Sequence, residues 1–232
     1  MAEKLTPEKI EEIAKNFEKI QENKIPIIKG EKETVTQKID PKILQAKKEE
    51  KRILPLIPPS DPRLLMQIAP FIDETLKEFD FKDRVDLAKV MYDTMVKYGG
   101  LGLSANQVGL PYRMFIMGGH PEIENGKVRS VFNPLLNDVS EETVTFKEGC
   151  LSFPFLFLSI TRPKWCSVKY TDQHGKEIEE TLHGMSARIF QHENEHMNGY
   201  VFTDLVSKFK LERAEKARVK MIKEYTRGGA IR

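Results

Sequence analysis

Two cysteines, one tryptophan and five histidines are all that 232 residues hold of those types. With only Cys150 and Cys166 there is no disulfide framework to expect, and a reducing cytoplasm is the expected location. Long apolar runs are missing as well. The sharpest, Met114–Met117 and Phe153–Ile160, fall far short of the roughly 20 residues that a bilayer-spanning helix needs, so no membrane association is expected. The opening MAEKLTPEKIEEIAKNFEKI has neither the apolar core of a signal peptide nor the acid-poor composition of a transit peptide. Internal repeats and low-complexity tracts are absent, which excludes solenoids and fibrous arrays.

Net charge is small, +2, but it is unevenly spread. Residues 1–52 carry 13 basic and 11 acidic side chains, whereas residues 208–232 carry nine basic and three acidic. That C-terminal excess suits either a solvated helix face or contact with a polyanion. Residues 1–50 read as a charged extension, partly helical over Leu5–Ile20 and otherwise flexible, with Thr6 and Pro7 at the helix start. Residues 51–232 read as the folded domain. There, apolar spacing predicts a helix over Arg84–Tyr98, stopped by Gly99 and Gly100. Strand-like runs follow at Arg113–Met117, Val128–Asn133, Val144–Phe146, Leu156–Ile160, Ser167–Thr171 and Ile178–Leu182, with a turn at His174-Gly175. A second helix is expected over Met185–Asn198 and a basic one over Lys208–Tyr225. Strands and helices do not alternate, so the expected class is α+β: antiparallel or mixed sheets around a central helix bearing HExxH, with a C-terminal helix.

That central helix contains QHENEH, residues 191–196. Residues four apart share a helix face, so His192 and His196 can aim two imidazoles at one cation, with Glu193 beside them to reach a bound water. Two unrelated helix histidines are the plainer alternative. A hydrolytic site of this type needs a third protein ligand. The extended histidine pattern fails, because Phe202 stands where its third histidine belongs. A downstream glutamate, Glu212 or Glu215, would make the chain a zinc peptidase, but both lie on the basic helix. Cys150, in EGCLSFP at the head of an apolar strand, is the better candidate, against the alternative of an ordinary buried thiol. Cys166 has no such company and is assigned to the core.

Three segments in order, GLGLSANQ (100–107), EGCLS (148–152) and QHENEH (191–196), resemble the three motifs of the peptide deformylases, GxGLAAxQ, EGCLS and QHExDH. SDPRLL at 60–65, Asn133-Pro134 and ARIFQHE at 187–193 extend the resemblance, which covers about Ile53 to Thr226. It implies a metal-dependent hydrolase that removes the N-formyl group from formyl-methionine on nascent polypeptides and releases formate. By position, Cys150, His192 and His196 would bind one divalent ion, typically Fe(II), with Zn(II), Ni(II) or Co(II) able to substitute. Glu193 would be the general base, and the Gln107 amide with the Leu151 backbone N–H would share the charge on the formyl oxygen. Gly102, Leu103 and Ile189, with the Phe153 region, would bind an extended peptide and its methionine side chain. The basic C-terminal helix resembles the segment by which some deformylases meet the ribosome.

The resemblance has three departures. Ser104 replaces the commoner alanine. Glu195 replaces the aspartate usual before the second histidine, and its extra methylene means that its supporting hydrogen bond must adjust. Phe157 stands where a basic residue is frequent, which makes the rim more apolar.

Overall fold

The computed structural model describes residues 51–226. The expected helix over Leu5–Ile20 and the flexible extension lie outside these residues. Among the described residues, seven strands and three α-helices follow one another: α1 (Arg84–Lys97), β1 (Gly102–Ser104), β2 (Met114–Gly118), β3 (Val128–Val139), β4 (Thr143–Cys150), β5 (Phe153–Pro163), β6 (Trp165–Thr171), β7 (Glu177–His183), α2 (Gly184–Met197) and α3 (Lys208–Thr226). Five strands form one sheet in the order β1-β2-β3-β6-β7, while β4 and β5 pair separately, and every pairing is antiparallel. The class is mixed α+β with a C-terminal helix.

Strand β2 shows why helices cover both faces of the larger sheet. All five of its residues are buried. Because successive side chains alternate sides, Met114 and Ile116 join the cluster containing Leu87, Met91 and Met95 of α1. Phe115 and Met117 point the other way, into the cluster of Phe190 and Met197 from α2. Each fully buried apolar side chain contributes about 1.5–3 kcal/mol of transfer free energy. The ends of α1 are set locally. Asp83 caps it, its carboxylate accepting from Asp86 N–H at 2.8 Å, and Gly99 stops it at φ +70°.

Several strands run longer than their apolar spacing predicts, β4 reaching from Thr143 to Cys150 around the expected Val144–Phe146, and β3 and β5 show why. Pro134 argues against continuing β3 past Asn133, yet the strand reaches Val139 through a break in register at Phe132–Leu135. Asn133 bends there at φ +51°, and its side-chain amide both accepts from Phe71 N–H (2.7 Å) and donates to Phe71 O (3.1 Å). Strand β5 starts three residues before the predicted run. Its buried face carries Leu156, Leu158, Ile160 and Arg162, so a guanidinium falls in register with core leucines.

Helix α3 is anchored along this strand. Leu156, Leu158 and Ile160 pack with Phe202, Leu211 and Ala214. Arg218 donates through Nε to Pro154 O at 2.8 Å, and Tyr225 meets the Phe155 ring.

Candidate metal centre and its surroundings

Helix α2 is buried at nearly every position from Ser186 to Met197, although Arg188, Gln191, His192, Glu193, Asn194 and His196 are polar. A helix buried all round is ordinarily apolar, and each buried polar group needs a partner. For most of these groups the partners come from two segments, strand β1 with the turn Ala105–Val108 and the β4–β5 hairpin, which includes Arg162; Asn194 Oδ1 and His196 Nδ1 have no hydrogen-bond partner among the described residues.

The hairpin delivers Cys150. Its register breaks between Gly149 and Cys150, so the tight turn through Leu151 and Ser152 carries the thiol towards the helix. Cys150 Sγ lies 3.4 Å from His196 Nε2. The ligand atoms of Cys150, His192 and His196 all lie within 4.8 Å of one another. Among the described residues this is the group of three that can hold a metal ion. One thiolate with two imidazoles accepts iron and zinc alike, so the donor set fits a divalent transition metal without choosing it. Glu212 and Glu215 do not belong to the group. They sit on α3, where Glu215 faces Arg218, so the peptidase ligand sets lose their third member.

Glu148, two residues before the cysteine, holds His192 from behind, with Oε2 3.1 Å from Nδ1. The contact orients the ring and leaves Nε2 as its other ligand atom. Glu148 is itself held by Arg162 at 2.7 and 3.0 Å and by Arg188. Burial pushes the Glu148 carboxyl up, but hydrogen bonds from His192 and Arg162 outweigh it and bring the pKa down to about 2. Glu195, the longer residue in place of aspartate, accepts along another edge of the same guanidinium with bonds of 2.5 and 2.9 Å. Its extra methylene is taken up by Arg162.

Burial lowers the His196 pKa well below its ordinary value, and the neighbouring His192 adds to this. Burial opposes charge on His192 too, but Cys150 and Glu148 overcome it and raise that pKa well above the ordinary value. Glu193 is raised by burial, with His192 and the Ser104 hydrogen bond pulling the other way.

On the opposite wall, Gly102 packs against the Glu193 carboxylate so closely that a Cβ there would collide with Oε1. Ser104 donates its hydroxyl to Glu193 Oε2 at 2.7 Å. Gln107 Oε1 accepts from Ser104 N–H (2.8 Å), while Gln107 Nε2 lies 3.3 Å from Cys150 Sγ and 3.0 Å from Ser152 Oγ. Leu151 packs beside Gly100 at the hairpin tip. Leu103 is fully buried in the α1 cluster, and Ile189 is buried in the α2 cluster. Phe157 is 46 % exposed and carries Lys147 Nζ 5.2 Å from its ring centroid, so a cation does stand at this rim, on β4.

Residues 55–212 match the polypeptide deformylase family model. The chain belongs to the polypeptide deformylase family. A peptide deformylase of Thermotoga maritima is 44% identical over 117 residues, which are 50% of this chain and 68% of that protein. The crystal structure of the Ehrlichia chaffeensis peptide deformylase in complex with actinonin superposes with a TM-score of 0.62 at 37% identity, over 72% of this chain and 97% of that one. A Met-Ala-Ser-bound class I type b peptide deformylase from Acinetobacter baumannii gives a TM-score of 0.61 at 28% identity, over 68% of this chain and all of that one, 100%. Among the described residues no helix is long and apolar enough to cross a membrane.

Residue patterns alone did not point to Arg162, Arg188, Ser152 or the role of the Ser104 hydroxyl. Arg162 did leave a signal: it follows Leu156, Leu158 and Ile160 at two-residue spacing, and a charge in core register demands a buried carboxylate. The acids that answer it, Glu148 and Glu195, are distant in sequence, so no local spacing announces them.

Proposed function

We propose that this deformylase hydrolyses the N-formyl group of formyl-methionyl nascent peptides with Cys150, His192 and His196 as the ligands of one divalent ion. The observation that carries the reading is the convergence of one sulfur and two ring nitrogens within 4.8 Å beside a buried glutamate. When bound, the ion supplies Lewis acidity that acidifies water and polarises a carbonyl. Fe(II) is the proposed metal by family position, with Zn(II), Ni(II) or Co(II) as substitutes.

Glu193 is the proposed general base. It takes the proton of the attacking water and passes it to the leaving amine, and burial, by raising its pKa, brings it closer to that task. Gln107 and the Leu151 N–H are the proposed donors to the formyl oxygen. An amide nitrogen has two N–H groups, and Gln107 Nε2 faces two partners, so it meets substrate by exchanging Cys150 or Ser152 for the formyl oxygen. Gly102, Leu103 and Ile189 are the proposed peptide contacts. The supporting feature for Gly102 is that β1 ends its sheet, which leaves an outer strand for an extended peptide to join.

We further assign the catalytic domain to residues 51–232, the extension to residues 1–50, and a cytoplasmic location. The basic face of α3 is the proposed ribosome contact, whose strength would fall with salt. The decisive experiment measures formate release from a formyl-Met peptide by metal-loaded Glu193→Gln. A loss of about 10²–10⁴-fold with metal retained is expected. Turnover at the parent rate would reject the general-base role.

A further inference from the structure

Ser104 is buried completely, and its hydroxyl therefore needs a partner inside the protein. The partner is Glu193. The hydroxyl lies 2.7 Å from Oε2 and 3.2 Å from the Glu193 carbonyl oxygen, and its single hydrogen serves the shorter, carboxylate contact. The backbone N–H of the same residue holds Gln107 Oε1 at 2.8 Å. One residue of β1 thus touches both side chains to which the proposed function gives proton transfer and oxyanion binding.

We infer that Ser104 is a positioning residue for deformylation: its hydroxyl sets the rotation of the Glu193 carboxylate, tying Oε2 back and presenting Oε1 on the Gly102 side. The last torsion of a glutamate is broad and nearly two-fold, so a buried carboxylate is not oriented by its rotamer alone. Here three features orient it together. Helix α2 fixes its backbone, the hydroxyl takes one oxygen, and the missing Cβ at Gly102 makes room for the other. Alanine at 104 would fill nearly the same space without the donor. The carboxylate would then sample orientations in which neither oxygen faces the water it must deprotonate, and misplacement of a reacting group lowers the rate of the chemical step more than binding.

The inference rests on Glu193 as general base, and its test separates the two. Full-length metal-loaded protein is assayed for formate release as the parent, Ser104→Ala, Glu193→Asp and the double variant, with bound metal measured on each sample. Shortening Glu193 draws its carboxylate out of the hydroxyl's reach while keeping a base. Ser104→Ala is expected to lower kcat about tenfold, the size of one lost hydrogen bond to a charged group, with KM changed less than about twofold. Bound metal per chain should not change. In the Glu193→Asp background the same substitution should change kcat less than about twofold. An undiminished kcat, a rise in KM alone, or an equal drop in both backgrounds would overturn the positioning role while leaving the base intact. Parent-rate turnover by Glu193→Gln would remove the base and this inference with it.

Discussion

Two buried arginines invite comparison. Arg162 and Arg129 have side chains only 3 and 4 % exposed, and each grips two glutamates. Arg129, on β3, binds Glu180 at 2.7 and 3.0 Å and Glu124 at 2.7 Å, and Glu180 goes on to accept from the Tyr170 hydroxyl. Arg162, on β5, binds Glu148 and Glu195, and Glu148 goes on to His192 Nδ1. Both glutamates at the centre, Glu180 and Glu148, are pushed up by burial yet brought down to about 2 by their partners. The pattern is alike, although Glu148 has Arg188 as a second cation where Glu180 has Lys127, and the last contact differs: a phenol in one cluster, an imidazole of the candidate metal centre in the other. Buried ion pairs are weak evidence of stabilisation in themselves. Only the second cluster is in a position to act on the site.

That contrast is broken most severely by removing each arginine. Arg162→Met leaves the buried Glu148 with Arg188 as its one guanidinium and should cost about 3–5 kcal/mol in denaturant unfolding, whereas Arg129→Met leaves two partly exposed carboxylates and should cost less. Bound metal, measured on the folded fraction, should fall only for Arg162→Met. Equal metal retention in the two variants would mean that the Arg162 cluster is structural only.

Neutralising the central glutamates is gentler. Glu148→Gln keeps the shape but weakens the grip on His192, so metal affinity should drop about 10–100-fold in a competition titration. Glu180→Gln should leave the affinity unchanged.

Acid sharpens the comparison further. A carboxylate depressed from 4.5 to about 2 contributes stability that is present above pH 4.5 and lost as pH falls towards 2. Thermal midpoints of the parent should therefore decline across that window. In Glu180→Gln the decline should be shallower, because one of the strongly depressed carboxylates no longer titrates. A decline of unchanged steepness would show that Glu180 is not depressed. The smallest effect is expected of Glu195→Asp, which withdraws the carboxylate from Arg162. It should cost less than about 1.5 kcal/mol in unfolding and leave metal content intact.

These pairs also mark where sequence reasoning stops. Helices α1, α2 and α3 follow the predicted spans within a residue or two, because apolar periodicity is local, as are the glycines that stop α1 and α2. The strands were visible where apolar runs are dense. Strand β1 was not, since three residues of a glycine-rich stretch become a strand only by pairing with β2. His192, Glu193 and His196 are legible from helical spacing, and Cys150 from the motif it shares with a family. Arg162, Glu195 and the reach of Ser104 to Glu193 are tertiary facts. They depend on a hairpin, a helix and an edge strand meeting across some 90 residues of chain.

The central claim is that one sulfur and two imidazoles share a single ion. X-ray absorption on the metal-loaded full-length protein tests it directly. One sulfur and two nitrogen scatterers are predicted at the metal, with the sulfur lost in Cys150→Ser. A shell of nitrogen and oxygen alone, unchanged by that substitution, would contradict the account.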